Sequence, residues 1–103
     1  MYQVTVLYKH PEDAAVFDKH YREVHIPLAK KMPGLNGYYV NWCEPAPDGK
    51  PPPYHLIAVL TAASKDAALA ALGSPEGQAA VADLPNFAAA GVELSFGTVD
   101  SEL

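Results

Sequence analysis

The order of segments along the chain predicts an α+β fold, β-α-β-β-α-β, in which helices cover one face of a four-stranded antiparallel sheet. Three observations lead there. Four segments are dense in β-branched and aromatic residues, the first being YQVTVLY at Tyr2 to Tyr8. Between them stand two acidic, proline-marked helix starts, Pro11-Glu12-Asp13 and Ser74-Pro75-Glu76. The two middle strands are apolar on both sides, more than one layer of helices can cover.

In strand one, Gln3 and Thr5 interrupt the apolar residues at alternate positions, as a half-buried strand requires. Helix one is expected from Pro11 to His25, because proline needs no N–H at a first helical position and Glu12 and Asp13 complement the macrodipole. Pro27 cannot donate to the carbonyl of Glu23 and biases Ile26 away from helical geometry, so the helix is expected to end or kink there. A further helical turn from Pro27 to Met32 meets the breaker Pro33-Gly34, where glycine is free to take positive φ. Strand two is expected from Gly37 to Glu44. The stretch PAPDGKPPP, residues 45–53, holds five prolines and is expected as an extended loop. Strand three, Tyr54 to Thr61, is nearly continuous in apolar residues. Ser64 caps a second helix through Leu72, closed by Gly73, and Ser74-Pro75-Glu76 opens another helical piece to about Leu84, before Pro85-Asn86. Strand four is Val92 to Val99. The result is a ferredoxin-like plait forming a single domain over residues 1–103.

Counting faces extends the prediction to assembly. Leu56, Ala58 and Leu60 of strand three lie opposite Ile57 and Val59, and Tyr38, Val40 and Trp42 of strand two lie opposite Tyr39 and Cys43. Helices cover only one of these sides, so a homodimer packed sheet against sheet is expected.

Composition narrows the function classes. Hydrophobic residues make up 50% of the chain and charged residues 18%, a thin solvated surface that also favours an oligomer. The net charge of −5 comes from 12 acidic and 7 basic residues, and the basic ones are scattered, so no nucleic-acid surface is expected. The lone Cys43 excludes an internal disulfide and fits a reducing compartment, with cytoplasm as the default. A strand pattern begins at Tyr2 and no apolar run approaches membrane-spanning length, so neither export nor membrane insertion is expected.

The stretch that looks built for chemistry is Phe17-Asp-Lys-His20-Tyr21-Arg-Glu-Val24-His25-Ile-Pro27-Leu28. At roughly 100° per residue, Phe17, Tyr21, Val24 and Leu28 fall within about 60° of one another, with His25 on the flank of the stripe near Tyr21. His25 can act as a general acid or base near neutral pH, or equally as a helix-end histidine favouring the C-terminal dipole. Tyr21 can orient a substrate oxygen, or be a core aromatic with its hydroxyl at the rim. His20 and His25, five apart, diverge by about 140° on an α-helix and cannot form an i, i+4 metal pair; His20 is expected at a solvated edge and no metal site is expected. His10 is expected in the loop or cap before helix one. His55, at the start of strand three, points into a pocket or sits at a strand end. Tyr8, Tyr38, Tyr39, Trp42, Phe87 and Phe96 are candidates, with Phe17, for the lining of an apolar pocket, or else core or dimer interface. Cys43 has no basic neighbour to activate it. The chain has no Ser-His-Asp set, Gly-rich phosphate loop or Cys-x-x-Cys pair.

Several segments together, Phe17-x-x-His20-Tyr21-x-x-x-His25-x-Pro27-Leu28, Met32-Pro33-Gly34-Leu35, Ser74-Pro75-Glu76-Gly77-Gln78 and Asp83-Leu84-Pro85-Asn86-Phe87, resemble the EthD family of dimeric α/β-barrel proteins over nearly the whole chain. The resemblance implies a ferredoxin-like protomer, a dimer, and roles near the breakdown of ethers and aromatics. Relatives include a muconolactone methylisomerase and polyketide-modifying enzymes, generally working without metal or organic cofactor on a small cyclic or aromatic ligand held between helices and sheet. By resemblance, His25 matches the histidine most often placed in that pocket. Asn41-Trp42 with a histidine elsewhere is similar to haem-degrading relatives of the fold, but spacing and order differ from that group.

Two functions are therefore expected. One is a cofactor-independent enzyme of isomerase, cyclase, dehydratase or monooxygenase type on a small cyclic, aromatic or lactone-like metabolite, with His25 moving the proton and Tyr21 positioning the oxygen. The other is a non-catalytic binding or accessory protein for a hydrophobic small molecule of a catabolic pathway.

Overall fold

A computed structural model describes residues 1–103. Its elements are β1 (Tyr2–Tyr8), α1 (Ala14–His20), a π-helical turn (Tyr21–His25), α2 (Ile26–Ala29), β2 (Leu35–Trp42), β3 (Leu56–Ala62), α3 (Lys65–Gly73), α4 (Pro75–Phe87) and β4 (Val92–Thr98). The strands form one antiparallel sheet in the order β2-β3-β1-β4, the predicted plait. No helix is long and apolar enough to cross a membrane.

Register decides which side chains meet the helices. Val4, Val6 and Tyr8 of β1 pair with Leu60, Ala58 and Leu56 of β3, and these in turn with Tyr38, Val40 and Trp42 of β2. All six of the β1 and β3 residues are buried beneath Phe17, Tyr21, Ala29, Met32 and the alanines of α3 and α4. Each large apolar side chain closed off this way contributes about 1.5–3 kcal/mol. The small residues Ala68, Ala71, Gly77 and Ala80 let α3 and α4 approach each other and the sheet closely.

The first helix departs from expectation at both ends. It begins at Ala14 rather than Pro11, because Asp13 is the N-cap and its side chain accepts from the Val16 N–H at 3.1 Å. Pro27 neither ends nor sharply breaks it. The backbone widens one turn earlier, the Ile26 N–H bonding to the Tyr21 carbonyl five residues back, and helical structure continues to Ala29. A π turn absorbs one extra residue, so Pro27 arrives at the start of the next α-helical stretch, where its missing N–H is tolerated.

The remaining boundaries move by a few residues. β2 runs two residues earlier than Gly37 to Glu44, with a register irregularity between Leu35 and Gly37, and β3 starts at Leu56 rather than Tyr54. The second helical piece does not stop before Pro85 but includes it and ends at Phe87. Pro85 lies on the solvent side, and the carbonyl it fails to satisfy belongs to the exposed Val81. Gly34 takes φ +85° between α2 and β2, as the Pro33-Gly34 break requires.

Two apolar surfaces stay open. On the sheet face away from the helices lie Leu7, Ile57, Val59 and Tyr39, the last 63% exposed. On the helix side, edge strand β4 extends past the helix layer, leaving Leu94 and Phe96 54% and 46% exposed.

Candidate functional site

The π turn places two imidazoles on one carboxylate. On a regular α-helix His20 and His25 would diverge, but a turn closed by an i to i+5 bond brings residues five apart back to nearly the same side. Both then reach Asp83, which α4 carries on its buried stripe with Gly77 and Ala80. The His20 Nε2 lies 2.9 Å and 3.0 Å from the two oxygens of Asp83, and the His25 Nδ1 lies 3.1 Å from Oδ2. The Asn86 Nδ2, three residues on along α4, donates to Oδ1 at 3.0 Å.

These contacts fix charge and tautomer. Burial alone would raise the proton affinity of Asp83, but donation from Asn86, His20 and His25 outweighs it and holds the carboxyl below the ordinary value. An ionised Asp83 accepts, so the neutral His25 ring carries its proton on Nδ1 and presents the Nε2 lone pair. Burial holds the proton affinity of His25 below its ordinary value; the Asp83 hydrogen bond and charge pull the other way without reversing it. His25 is therefore a neutral ring near pH 7 with one free basic nitrogen.

The His25 ring borders a cavity. A cavity of about 140 Å³ lies between α4 and the sheet, walled by Val4, Val6, Tyr8 and Leu60 below and by Ala80 and Leu84 above, with His25 at its side. Its mouth is at the exposed Val81 and Leu94. A cavity of this size suits about one six-membered ring. A larger, shallow cleft of about 420 Å³ lies between the start of α1 and the end of α4, where Phe17, His20, Asn86 and Phe87 form the floor and Glu12 and Asp13 the rim.

Most of the residues singled out in the sequence meet in one aromatic cluster. The ring of Tyr21 lies 5.2 Å from His25, 5.8 Å from Phe87 and 5.8 Å from Trp42, while Phe87 is 5.2 Å from Phe17 and 4.9 Å from His25. Tyr21 is 0% exposed and does not line the cavity; its hydroxyl hydrogen-bonds the Tyr38 hydroxyl at 2.8 Å, and burial keeps it a neutral phenol. Trp42 faces the helices beneath the Arg22 guanidinium, 4.1 Å from its ring. His55 touches Phe17, with ring centres 5.0 Å apart, and its Nε2 donates to Asp18 at 2.7 Å, away from the cavity. Tyr39, three residues from Trp42, is on the other face of the sheet and joins neither hollow.

Sequence reasoning missed Asp83 and the part taken by His20, which is not a solvated edge residue but half-buried on Asp83, whereas Tyr8, expected among the aromatic lining, does wall the cavity. Asp83 could have been found: Gly77, Ala80, Asp83 and Phe87 are spaced as the inner stripe of a helix, and a carboxylate on such a stripe needs donors. The meeting of His20 with His25 could not, because it depends on the π turn.

Comparison with known proteins places the chain. The family model described as the EthD domain matches residues 9–91. An uncharacterised 11.0 kDa protein of Rhodococcus erythropolis, encoded in the thcB-thcC intergenic region, is 44% identical over 96 residues, covering 93% of this chain and 92% of its own. Among solved structures, an ethyl tert-butyl ether D (EthD) family protein from Bacillus halodurans superposes with a TM-score of 0.90 at 30% identity, covering 97% of this chain and 99% of its own. SnoaB of Streptomyces nogalater, described as a cofactor-independent oxygenase, shares the fold at TM-score 0.67 and 17% identity, over 99% of this chain and 94% of its own. A protein from Thermobifida fusca described as a dimeric ferredoxin-like protein of unknown function does so at TM-score 0.72 and 15% identity, over 95% and 90%. The last two speak for the fold; the family match and the closer relatives, which span the histidine helix, the plait and the Asp83 segment alike, establish that the chain belongs to the EthD family.

Proposed function

We propose that the chain is a cofactor-independent enzyme acting on a small cyclic, aromatic or lactone-like metabolite, with His25 as general acid/base. One observation carries the reading: His25 lines an apolar cavity while its Nδ1 is held by Asp83, leaving Nε2 without a protein partner. A proton taken from a bound ring makes an imidazolium that the neighbouring carboxylate stabilises, and the same Nε2 returns it at another position. Tyr21 serves by packing against the His25 ring and fixing its plane, and Tyr8, with Val4, Val6 and Leu60, forms the flat floor on which a ring lies. SnoaB, described as a cofactor-independent oxygenase, is an instance of an enzyme of this fold that works without a cofactor.

The alternative, a binding or accessory protein, draws on the apolar lining of the cavity; it expects the histidine to point outward, and here His25 lines the cavity instead. We further propose that the protein works as a cytoplasmic homodimer, supported by the open sheet face, the lone Cys43 and the dimeric description of its structural neighbour.

Monocyclic phenols and five- or six-membered unsaturated lactones provide the test. NMR in deuterated water follows binding and loss of the acidic C–H. The expected result is ring-sized ligands exchanging in the presence of the protein, and exchange falling by about 10²–10⁴-fold in His25→Ala with binding retained. Binding without any exchange, or exchange unaffected by His25→Ala, would move the assignment to the binding protein.

A further inference from the structure

We propose that His20 governs His25 through Asp83, so that the two imidazoles and the carboxylate between them form one titrating unit joining the outer cleft to the inner cavity. This rests on the reading of His25 as the base and makes His20 a positioning residue for it. Three observations carry the inference. The oxygens of Asp83 are divided between the rings, His20 Nε2 at 2.9 Å and 3.0 Å and His25 Nδ1 at 3.1 Å, so a proton gained by either imidazole redistributes the same negative charge. Phe87 packs against both rings, stacked on His20 at 5.0 Å and touching His25 at 4.9 Å, and its apolar ring strengthens the interaction of charges beside it. The remaining sides of the two rings open on different hollows, His20 on the outer cleft and His25 on the inner cavity.

Few other titratable groups face this unit. Facing His20 besides Asp83 are Glu12 and Asp13 on the cleft rim, and the Asp13 side chain is already held by the Val16 N–H. Facing His25 are the phenols of Tyr8 from β1 and Tyr21 from its own helix, with Tyr38 behind them, all kept neutral by burial. No lysine or arginine lines either hollow. A proton on His20 therefore draws Asp83 toward itself and sets a positive charge beside His25, weakening the base. A neutral His20 leaves Asp83 free to stabilise the His25 imidazolium. Conditions in the outer cleft are in this way felt in the inner cavity, without any movement of the backbone.

Ring-nitrogen NMR of the full chain, ¹⁵N-labelled at histidine and titrated without ligand, tests this in wild type, His20→Gln and Asp83→Asn. In wild type the His25 resonances should pass through two inflections, one for its own proton and one reporting the change of charge across the shared Asp83 carboxylate. Glutamine keeps an N–H donor for Asp83 but cannot take up a proton, so in His20→Gln the His25 curve should become a single step at higher pH than the lower wild-type inflection, with the Nδ1–H tautomer preserved. Asp83→Asn should abolish both the tautomer preference and the coupling. A purely structural His20 leaves the His25 curve of His20→Gln superimposable on wild type, and that result overturns the proposal. So does a single inflection for His25 in wild type, which needs no variant to fold. The measurement stands apart from turnover: a chain that only binds its ligand can still show the coupled curve, and a catalytic His25 that titrates independently defeats this inference alone.

Discussion

A carboxylate beneath a helix is destabilising unless donors surround it, and Asp83, 5% exposed, has three: His20, His25 and Asn86. The acid stability of the protein follows from the two shifted groups. His25 binds its proton less readily when folded than at its ordinary 6.5, because burial disfavours the cation. The unfolded chain therefore takes up that proton first, and stability is full above about pH 6.5 and declines as pH falls through the lowered folded value, at no more than about 1.4 kcal/mol per pH unit. Asp83 is held below its ordinary 3.8, so its share is present above that pH and is lost only at lower pH still. Urea midpoints against pH should thus show an early decline attributable to His25 and a later one to Asp83, and His25→Gln should be flat through the early window. A His25→Gln protein that loses stability there as wild type does would assign the decline elsewhere. The sequence made His25 and Tyr21 visible because a titratable ring beside an amphipathic stripe is a local pattern. Asp83 lies 58 residues from His25 in the chain, and nothing local to either announces the other.

Elements were legible where a cap or a periodicity is local, and illegible where two local rules compete. Pro27 read as a helix end because it cannot bond the Glu23 carbonyl, yet Phe17 and Tyr21 before it and Ala29 and Met32 after it all have core to bury, and widening one turn satisfies both demands. Pro85 posed the same conflict on an exposed side, where the lost bond costs least. The α3–α4 junction, by contrast, follows its sequence closely. Ser74 ends one helix and caps the next, its Oγ accepting from the Gly77 N–H at 3.0 Å and donating to the Ala71 carbonyl at 2.6 Å. Ser74→Ala should cost about 1–2 kcal/mol. Two glycines flank it with opposite expectations. A methyl at Gly77 would run into the Ala71 and Leu72 carbonyls, which are backbone and cannot swing aside, so Gly77→Ala should destabilise by about 1–3 kcal/mol despite the better helix former. At Gly73 an added methyl meets nothing within 4 Å and φ is not positive, so Gly73→Ala should gain about 0.4–1 kcal/mol. Chemical denaturation of the three variants checks the order; a stabilised Gly77→Ala would show that the helices can separate at no cost.

At the scale of the whole molecule the sheet has one covered face and one bare one, and the bare face is not uniformly polar. Gln3 donates to Thr5 at 3.0 Å and Thr61 to Asn36 at 2.6 Å, so several of its polar groups are satisfied within the protomer. What remains is a diagonal of Leu7, Ile57, Val59 and Tyr39 running across β1, β3 and β2. That one apolar face would be left bare was readable from the sequence, since alternation puts Ile57 and Val59 opposite Leu56, Ala58 and Leu60 and helices cover only one side; which set faces the helices, and which face Tyr39 and Trp42 take, was not, because register depends on partners far along the chain. The proposed homodimer buries this diagonal against its twofold copy. Val59 stands near its middle, between Thr5 and Tyr39, so Val59→Asp would bring two carboxylates into a closed apolar seam, a placement that desolvation makes strongly unfavourable. Light scattering at micromolar concentration should give twice 11.0 kDa for wild type and 11.0 kDa for Val59→Asp, with the far-ultraviolet spectrum unchanged. Because His25 and Asp83 lie under the helices on the opposite face, the monomeric variant should keep the Nδ1–H tautomer of His25. A wild-type protein of 11.0 kDa would leave the diagonal exposed to water and remove the dimer, while loss of the tautomer in Val59→Asp would mean that pairing of the sheets reaches through β3 and β1 to hold the site in shape.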